Sequence, residues 1–242
     1  MSADPQKTVL ECLQAGELSV EGQFMWGSNY TFLLDVLHDD TELKGVYKPT
    51  RGERPLWDFP EESLAGREVA AFLVSEALGL HLVPPTVYRQ EGPAGPGSLQ
   101  LFVDHDPEYH YFNLTAEDKQ RLRPVAFFDI LINNTDRKGG HILFDHQDNI
   151  WLIDHGITFH VHHKLRTVVW DFSGETLPDE LCEKLTPFRQ QLTPETALYQ
   201  QLSKYISRRE IHALAMRAEE LRSNPRFPYP RDNMRSYPWP PV

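Results

Sequence analysis

LINNTDRKGGHILFDHQDNIWLIDHGITF, residues 131–159, is the stretch from which the rest of this 242-residue chain is read. An apolar helix end runs into a tight polar turn, Asn134-Thr135-Asp136-Arg137-Lys138-Gly139-Gly140-His141. A short apolar strand, Ile142 to Phe144, follows, then a turn over Asp145 to Asn149. A second strand, Ile150 to Ile153, delivers Asp154-His155-Gly156. Two carboxylates, Asp136 and Asp154, are thereby expected at the two ends of one hairpin.

That placement suits phosphoryl transfer, in which one Asp orients the attacking group and a second holds a metal on nucleotide phosphates. The chain upstream can be read for the matching parts. Leu18 to Val36 reads as strand, turn, strand, with Gly22, Gly27, Ser28 and Asn29 as turn residues. A small-residue turn can lay backbone N–H groups over phosphates. Gly27, Ser28 and Asn29 are the candidate phosphate loop, against the plainer reading of a hairpin turn. A third strand, Leu43 to Lys48, ends at Pro49. Its Lys48 either faces solvent, as strand lysines usually do, or points into a cleft as a compact charge for phosphates. Thr50 to Glu62 is a polar insertion carrying Trp57 and Phe59. Ser63 to Gly79 is a helix with an apolar stripe at Leu64, Val69, Leu73 and Leu78 and a glycine to close it. Glu68 falls in its apolar part, where a carboxylate needs a partner; Lys48 is the obvious one. Thr86 to Tyr88 and Ser98 to Asp104 complete a small sheet.

The Asn134-Thr135-Asp136-Arg137 turn and Ile153-Asp154-His155-Gly156, with Gly45-Val46-Tyr47-Lys48-Pro49 and the helix around Glu68, resemble the catalytic and metal-binding loops of the phosphatidylinositol 3- and 4-kinase-like, or atypical, kinases. The pattern is closest to the type II phosphatidylinositol 4-kinases and the HipA-type bacterial kinases. It also resembles an uncharacterised actinobacterial family of such kinase-like proteins. The wider likeness covers roughly residues 22–159. It implies a two-lobe α+β fold: a small β-rich lobe (1–104), a larger, mainly helical lobe (105–224) and a Pro-rich tail (225–242), with the site between the lobes. It implies ATP and Mg2+ or Mn2+ as cofactors. Lys48 would steady phosphates, Glu68 would hold Lys48, and Phe102, Val103 and Asp104 would form the adenine-binding hinge. Asp136 would orient the acceptor hydroxyl, Arg137 would neutralise developing charge or structure the loop, and Asp154 would bind the metal.

One residue departs from the pattern. The related kinases place Asn five residues after the catalytic Asp; here it is His141. Magnesium favours oxygen ligands, and imidazole suits manganese, iron or zinc better. His141 is thus the second candidate metal ligand, and three readings stay open: an active kinase, a nucleotide-binding pseudokinase, and a metal-dependent hydrolase using Asp136, His141, Asp154 and the histidines His160, His162 and His163. Transfer of AMP is a variant of the first. His160, His162 and His163, with His155, form a histidine-rich stretch that could either face the acceptor or ligate a transition metal.

Farther along, Thr115-Ala116-Glu117-Asp118 resembles a capping box, and Pro124 kinks or starts a helix. Val125 to Ile132 is nearly all apolar and reads as buried. Thr193-Pro194-Glu195 reads as a helix start, and Ser207 to Glu210 as a capping box opening a helix to about Ser223. Residues 224–242 hold six prolines and no helical period, so an extended or disordered tail is expected, packed through Phe227, Tyr229, Tyr237 and Trp239.

Composition narrows the partners. The net charge of −11 disfavours nonspecific binding to nucleic acid or anionic membranes. Residues 204–242 run against it, with eight Lys and Arg to four Asp and Glu; this is either a solvated helix and tail or a contact for an acidic substrate or partner. No apolar run reaches the ~18 residues of a membrane span, and no signal peptide is evident. Cys12 and Cys182 form no metal motif. A cytoplasmic protein acting on a protein side chain or a small soluble acceptor is expected, with no stable membrane association.

Overall fold

The computed structural model describes residues 5–24 and 30–242. The candidate phosphate loop at Gly27, Ser28 and Asn29 lies outside the described residues. The first lobe runs α1 (Pro5–Ala15), β1 (Glu17–Phe24), β2 (Thr31–His38), β3 (Thr41–Pro49), α2 (Leu64–Ala77), β4 (Thr86–Arg89) and β5 (Gly97–Leu101). Its five strands form one antiparallel sheet in the order β1-β2-β3-β5-β4. Gly22, expected in a turn, lies inside β1, where the register slips between Val20 and Gly22. A bulge absorbs the extra residue while the strand runs on.

The sheet has helices on two sides, and strand alternation decides what each meets. Cys12 and Leu13 of α1 pack on Leu34, Val36, Tyr47, Val87 and Leu99. Tyr47 faces this cluster, so Lys48 faces the opposite side, where its cross-strand neighbour is Ser98 and α2 packs on β4 and β5.

A single apolar stripe was expected on α2. Instead residues 64 to 72 are all buried, as befits a helix wedged between two layers. Ala70, Ala71, Phe72, Val74 and Leu78 join the core of the second lobe. Gly79, at φ +59°, closes the helix as expected. Arg67, buried beside Glu68, ties α2 to that lobe: its Nη2 lies 2.7 Å from Glu210 Oε1 and its Nη1 donates to Thr158 O at 2.7 Å.

The second lobe contains α3 (Ala116–Gln120), α4 (Arg123–Ile132), the hairpin β6 (Ile142–Phe144) and β7 (Ile150–Leu152), α5 (Asp179–Gln190), α6 (Ala197–Leu202) and α7 (Arg208–Ser223). Phe127, Phe128, Leu131 and Ile132 of α4 are fully buried at its centre. Pro124 sits in the first turn of α4, so it starts that helix without kinking one. Ser207 and Glu210 form the reciprocal capping box of α7. At α3 only half the box is made: Thr115 Oγ1 accepts from Asp118 N–H. Thr193 does not start a helix. Thr196 N–H donates back to Thr193 O in a separate turn, and α6 begins at Ala197. The sequence reading did not anticipate α5, which carries Pro187 inside it.

The tail packs along the second lobe. Phe227 is buried and hydrogen-bonds Glu175 O, and Ser236 O accepts from Thr167 N–H and Trp170 Nε1. Pro241 O accepts from Gly139 N–H at 2.7 Å. Tyr229, Tyr237 and Trp239, expected to pack, stay more than half exposed. In the 50–62 insertion Trp57 is exposed and Phe59 buried. Among the described residues no helix is long and apolar enough to cross a membrane.

Candidate active site

The site begins where α4 ends. Asn133 turns the chain left-handed at φ 52°, and its side chain binds three backbone groups: Nδ2 donates to His160 O and His162 O, and Oδ1 accepts from Lys164 N–H. Asn134 Nδ2 donates to Asp129 Oδ1 while its own Oδ1 accepts from Asp136 N–H at 3.0 Å. Asp136 is thus aimed by a buried amide bonded to the helix behind it.

Arg137 is fully buried, and all three of its guanidinium nitrogens find partners inside the protein. Nε and Nη2 hold the carboxylate of Asp129, itself fully buried. Nη1 donates to His141 O and Ile153 O, and Nη2 also to His155 Nε2 at 2.8 Å. Arg137 therefore clamps the start of the hairpin to its end. Of the two roles expected of Arg137, these contacts are those of structuring the loop. Asp129 was missed because it sits in an apolar run. The readable signal was a carboxylate in a buried helix needing a cation.

An arginine can only donate, so His155 Nε2 accepts and its proton sits on Nδ1, 3.7 Å from Glu68 Oε2. Burial, then the charge of Arg137, lowers the His155 pKa and keeps it neutral. Glu68 is the meeting point of the two lobes. Its Oε2 accepts from His155 N–H at 2.8 Å and its Oε1 lies 2.5 Å from Lys48 Nζ. Lys48 Nζ also lies 3.2 Å from Asp154 Oδ1. Burial opposes the charge on Lys48, but Asp154 and Glu68 outweigh it and raise its pKa. Desolvation works against Glu68 too, and Lys48 outweighs it, so the carboxylate stays ionised. Lys48 holds the Asp154 carboxyl well below the usual range.

Asp154 is half-exposed, in left-handed backbone at φ 61°. Its Oδ2 lies 3.4 Å from His141 Nε2. Burial lowers the His141 pKa to about 4, with Arg137, Lys138 and Lys48 adding to it against Asp154, so the imidazole is neutral at pH 7. A carboxylate oxygen and a neutral ring nitrogen facing each other are a donor pair that suits a divalent cation. Among the described residues no third His, Cys, Asp or Glu joins them. Asp136 is part-buried, its pKa raised to about 6 by burial and by Asp154, against the pull of Lys138 and Arg166. Lys138 Nζ is 3.5 Å from Asp136 Oδ2. Arg166 is a second residue the sequence reading passed over; its N–H donates to Asn134 O.

The remaining candidates lie at the edges. Phe102, Val103 and Asp104 follow β5. Phe102 N–H already donates to Lys44 O, and Val103 O is 2.8 Å from His105 Nδ1, so those two backbone groups face the protein. His160 and His162 adjoin, with His160 Nδ1 accepting from His162 N–H, but no group of three or more ligand side chains gathers there among the described residues.

No protein-family model matches the chain. It is 40% identical to Protein Rv2133c of Mycobacterium tuberculosis across 94% of this chain and 93% of that protein. A shorter likeness, 33% identity over 108 residues, is to phosphatidylinositol 4-kinase gamma 4 of Oryza sativa subsp. japonica; it spans 37% of this chain and 19% of that protein. Among solved structures, the Golgi casein kinase superposes with a TM-score of 0.58 at 17% identity, covering 92% of this chain and 75% of that one. The same kinase is also solved with Mn/ADP bound. Hydra Fam20 with sugar superposes at 0.60 with 13% identity, covering 92% and 89%. The fold is kinase-like, as the resemblance implied. The structural likenesses reach the fold and not the narrower phosphatidylinositol kinase families.

Proposed function

This chain belongs to the family of the Mycobacterium tuberculosis protein Rv2133c, and we propose that it is an ATP-dependent phosphotransferase acting on a hydroxyl of a protein or small soluble acceptor. One observation carries the reading: Lys48 from the sheet meets Glu68 from α2 and Asp154 from the hairpin at 2.5 and 3.2 Å. A lysine braced by one carboxylate and set beside a second, more exposed one is suited to hold nucleotide phosphates.

In this reading Glu68 fixes the ammonium, and Lys48 donates to phosphate oxygens. Asp154 and His141 would hold a divalent cation, which would supply neutralisation of charge on the phosphates. The kinase solved with Mn/ADP supports that choice of ligands. Asp136 accepts the acceptor's hydroxyl proton as the new O–P bond forms and the bond to ADP breaks. Lys138 stands beside Asp136 where charge develops. Adenine recognition falls to backbone after Phe102. Neutral His141 favours the active enzyme over the pseudokinase, because it leaves a donor lone pair where the related kinases carry an amide oxygen.

The test is turnover of ATP labelled at the α- or the γ-phosphate, with Mg2+ and with Mn2+, for the wild type and Asp136→Asn. Released or transferred γ-label, reduced about 10²- to 10⁴-fold in the variant, is expected for loss of a general base. Incorporated α-label would instead establish AMP transfer. Nucleotide binding with no turnover of either label in the presence of candidate acceptors would favour the pseudokinase. With an imidazole in the ligand pair, Mn2+ is expected to support turnover at least as well as Mg2+; a clear Mg2+ preference would remove His141 from the site.

A pH dependence follows from Asp136. Its carboxyl, raised to about 6, acts as a base only when ionised. kcat/KM is therefore expected to fall about tenfold per pH unit below pH 6 and to level off above it. A profile flat between pH 5 and 7 would take Asp136 out of the proton transfer.

A further inference from the structure

The positive balance of residues 204–242 finds a place in the second lobe, away from the Lys48 site. A cavity of about 430 Å3 lies between α7, the tail and the segment that follows the hairpin. Arg217, Arg226, Arg231, His163, Trp170 and Tyr229 are among the residues that line it. Its volume falls in the range of small-molecule pockets.

The charges in it are unbalanced. The carboxylates of α7 are engaged elsewhere: Glu210 pairs with Arg67, and Glu219 with Arg189 and Arg222. Arg217, Arg226 and Arg231 make no salt bridge among the described residues, and Arg226 Nη1 donates to Gly174 O at 3.0 Å. Glu220 is the one carboxylate lining the cavity among the described residues, and Glu210, paired with Arg67, also acts on Arg217, so three guanidiniums stand against a single unpaired negative charge. Arg217 spends Nε on Leu131 O at 2.6 Å. Its Nη2 is buried with no hydrogen-bond partner among the described residues. A buried guanidinium nitrogen without an acceptor is costly and wants an anion. Burial lowers the Arg217 pKa to about 10 against the charges of Glu210 and Glu220, and burial with the charges of Arg231 and Arg217 lowers that of His163 to about 4.

We propose that this cavity binds a small phosphate monoester carrying a flat ring, the phosphate between Arg217, Arg226 and Arg231 and the ring against Trp170 and Tyr229. Two excess positive charges match a phosphate dianion, and guanidiniums give it paired hydrogen bonds. An aromatic wall takes a ring that inorganic phosphate lacks. An acidic peptide could use the same charges, but a partly enclosed volume of this size favours a small molecule. The proposal does not depend on phosphotransfer at the Lys48 site. The cavity does touch that machinery: Arg217 donates to Leu131 O, and its Nη1 lies 3.4 Å from His160 O, whose carbonyl Asn133 also holds.

The test uses the full chain and three probes: phenyl phosphate, inorganic phosphate and phenol. Binding is followed by calorimetry and by the ring signals of His163 in NMR spectra. Phenyl phosphate is expected to bind more tightly than inorganic phosphate, phenol not at all, and the His163 titration midpoint to rise on binding because an anion then faces it. Arg226→Ala/Arg231→Ala, at exposed positions, is expected to weaken phenyl phosphate at least tenfold; Arg217 is spared because it also holds α4. Phenyl phosphate binding that survives in this variant, that Lys48→Met abolishes, or that leaves His163 unmoved would overturn the proposal. So would no binding of either phosphate, or tighter binding of an acidic peptide than of phenyl phosphate.

Discussion

Asp154→Asn is expected to lower ATP turnover by about a thousandfold, a loss typical of removing one preorganised charge from a transition state. The variant should remain folded. Asp154 is half-exposed and sits at φ 61°, a backbone state that Asn tolerates and most other side chains resist. Asn also keeps the size and one oxygen, so the change is confined to the charge that balances Lys48 and that would hold the cation. Two readouts separate chemistry from folding: turnover with saturating metal, and the urea midpoint. Turnover within tenfold of wild type at an unchanged midpoint would take Asp154 out of the metal site.

The second large effect concerns stability. Arg137→Met should cost about 3–5 kcal/mol, because it leaves Asp129 as a buried charge without its cation. Among the described residues only Asn134 Nδ2 and Thr167 Oγ1 then remain to that carboxylate. Such a loss is a large share of an ordinary domain's stability, and the single variant could fail to fold. Arg137→Met/Asp129→Leu removes both charges and should recover a large part of the loss. Urea denaturation of both variants decides it: a cost under about 1 kcal/mol in the single variant, or no recovery in the double, would mean that Arg137 does not hold the loop in the way described.

The parts legible in the sequence were those whose signals are local. A hairpin between two aspartates is marked by turn residues and short apolar runs. Lys48 in a strand and Glu68 in an apolar helix each pose a question that the other answers. The two-lobe fold followed from the same pieces. What could not be read depends on residues far apart. Arg137 looks like a catalytic cation beside Asp136; only burial and the nearness of Asp129, His155 and two carbonyls turn it into a clamp. The α5 helix hides behind Pro187, because burial of Leu181, Leu185 and Phe188 decides it and propensity argues against it. Thr193 carries a good local start signal, yet the helix opens at Ala197. The basic end of the chain was visible as a count, but a count does not say that three arginines line one cavity.

The pair Arg67 and Glu68 has a consequence for how activity is inherited through the fold. Two neighbours on α2 face opposite duties, one gripping Glu210 and the other presenting Lys48. The grip is a buried ion pair, so the presenting residue has little freedom to swing away. On the proposed reading, the Lys48–Glu68 brace is assembled before a nucleotide arrives. The same economy exposes the site to remote error. Glu210 both caps α7 and holds Arg67, so a neutral-looking change at the start of that helix would be felt first as weaker nucleotide binding.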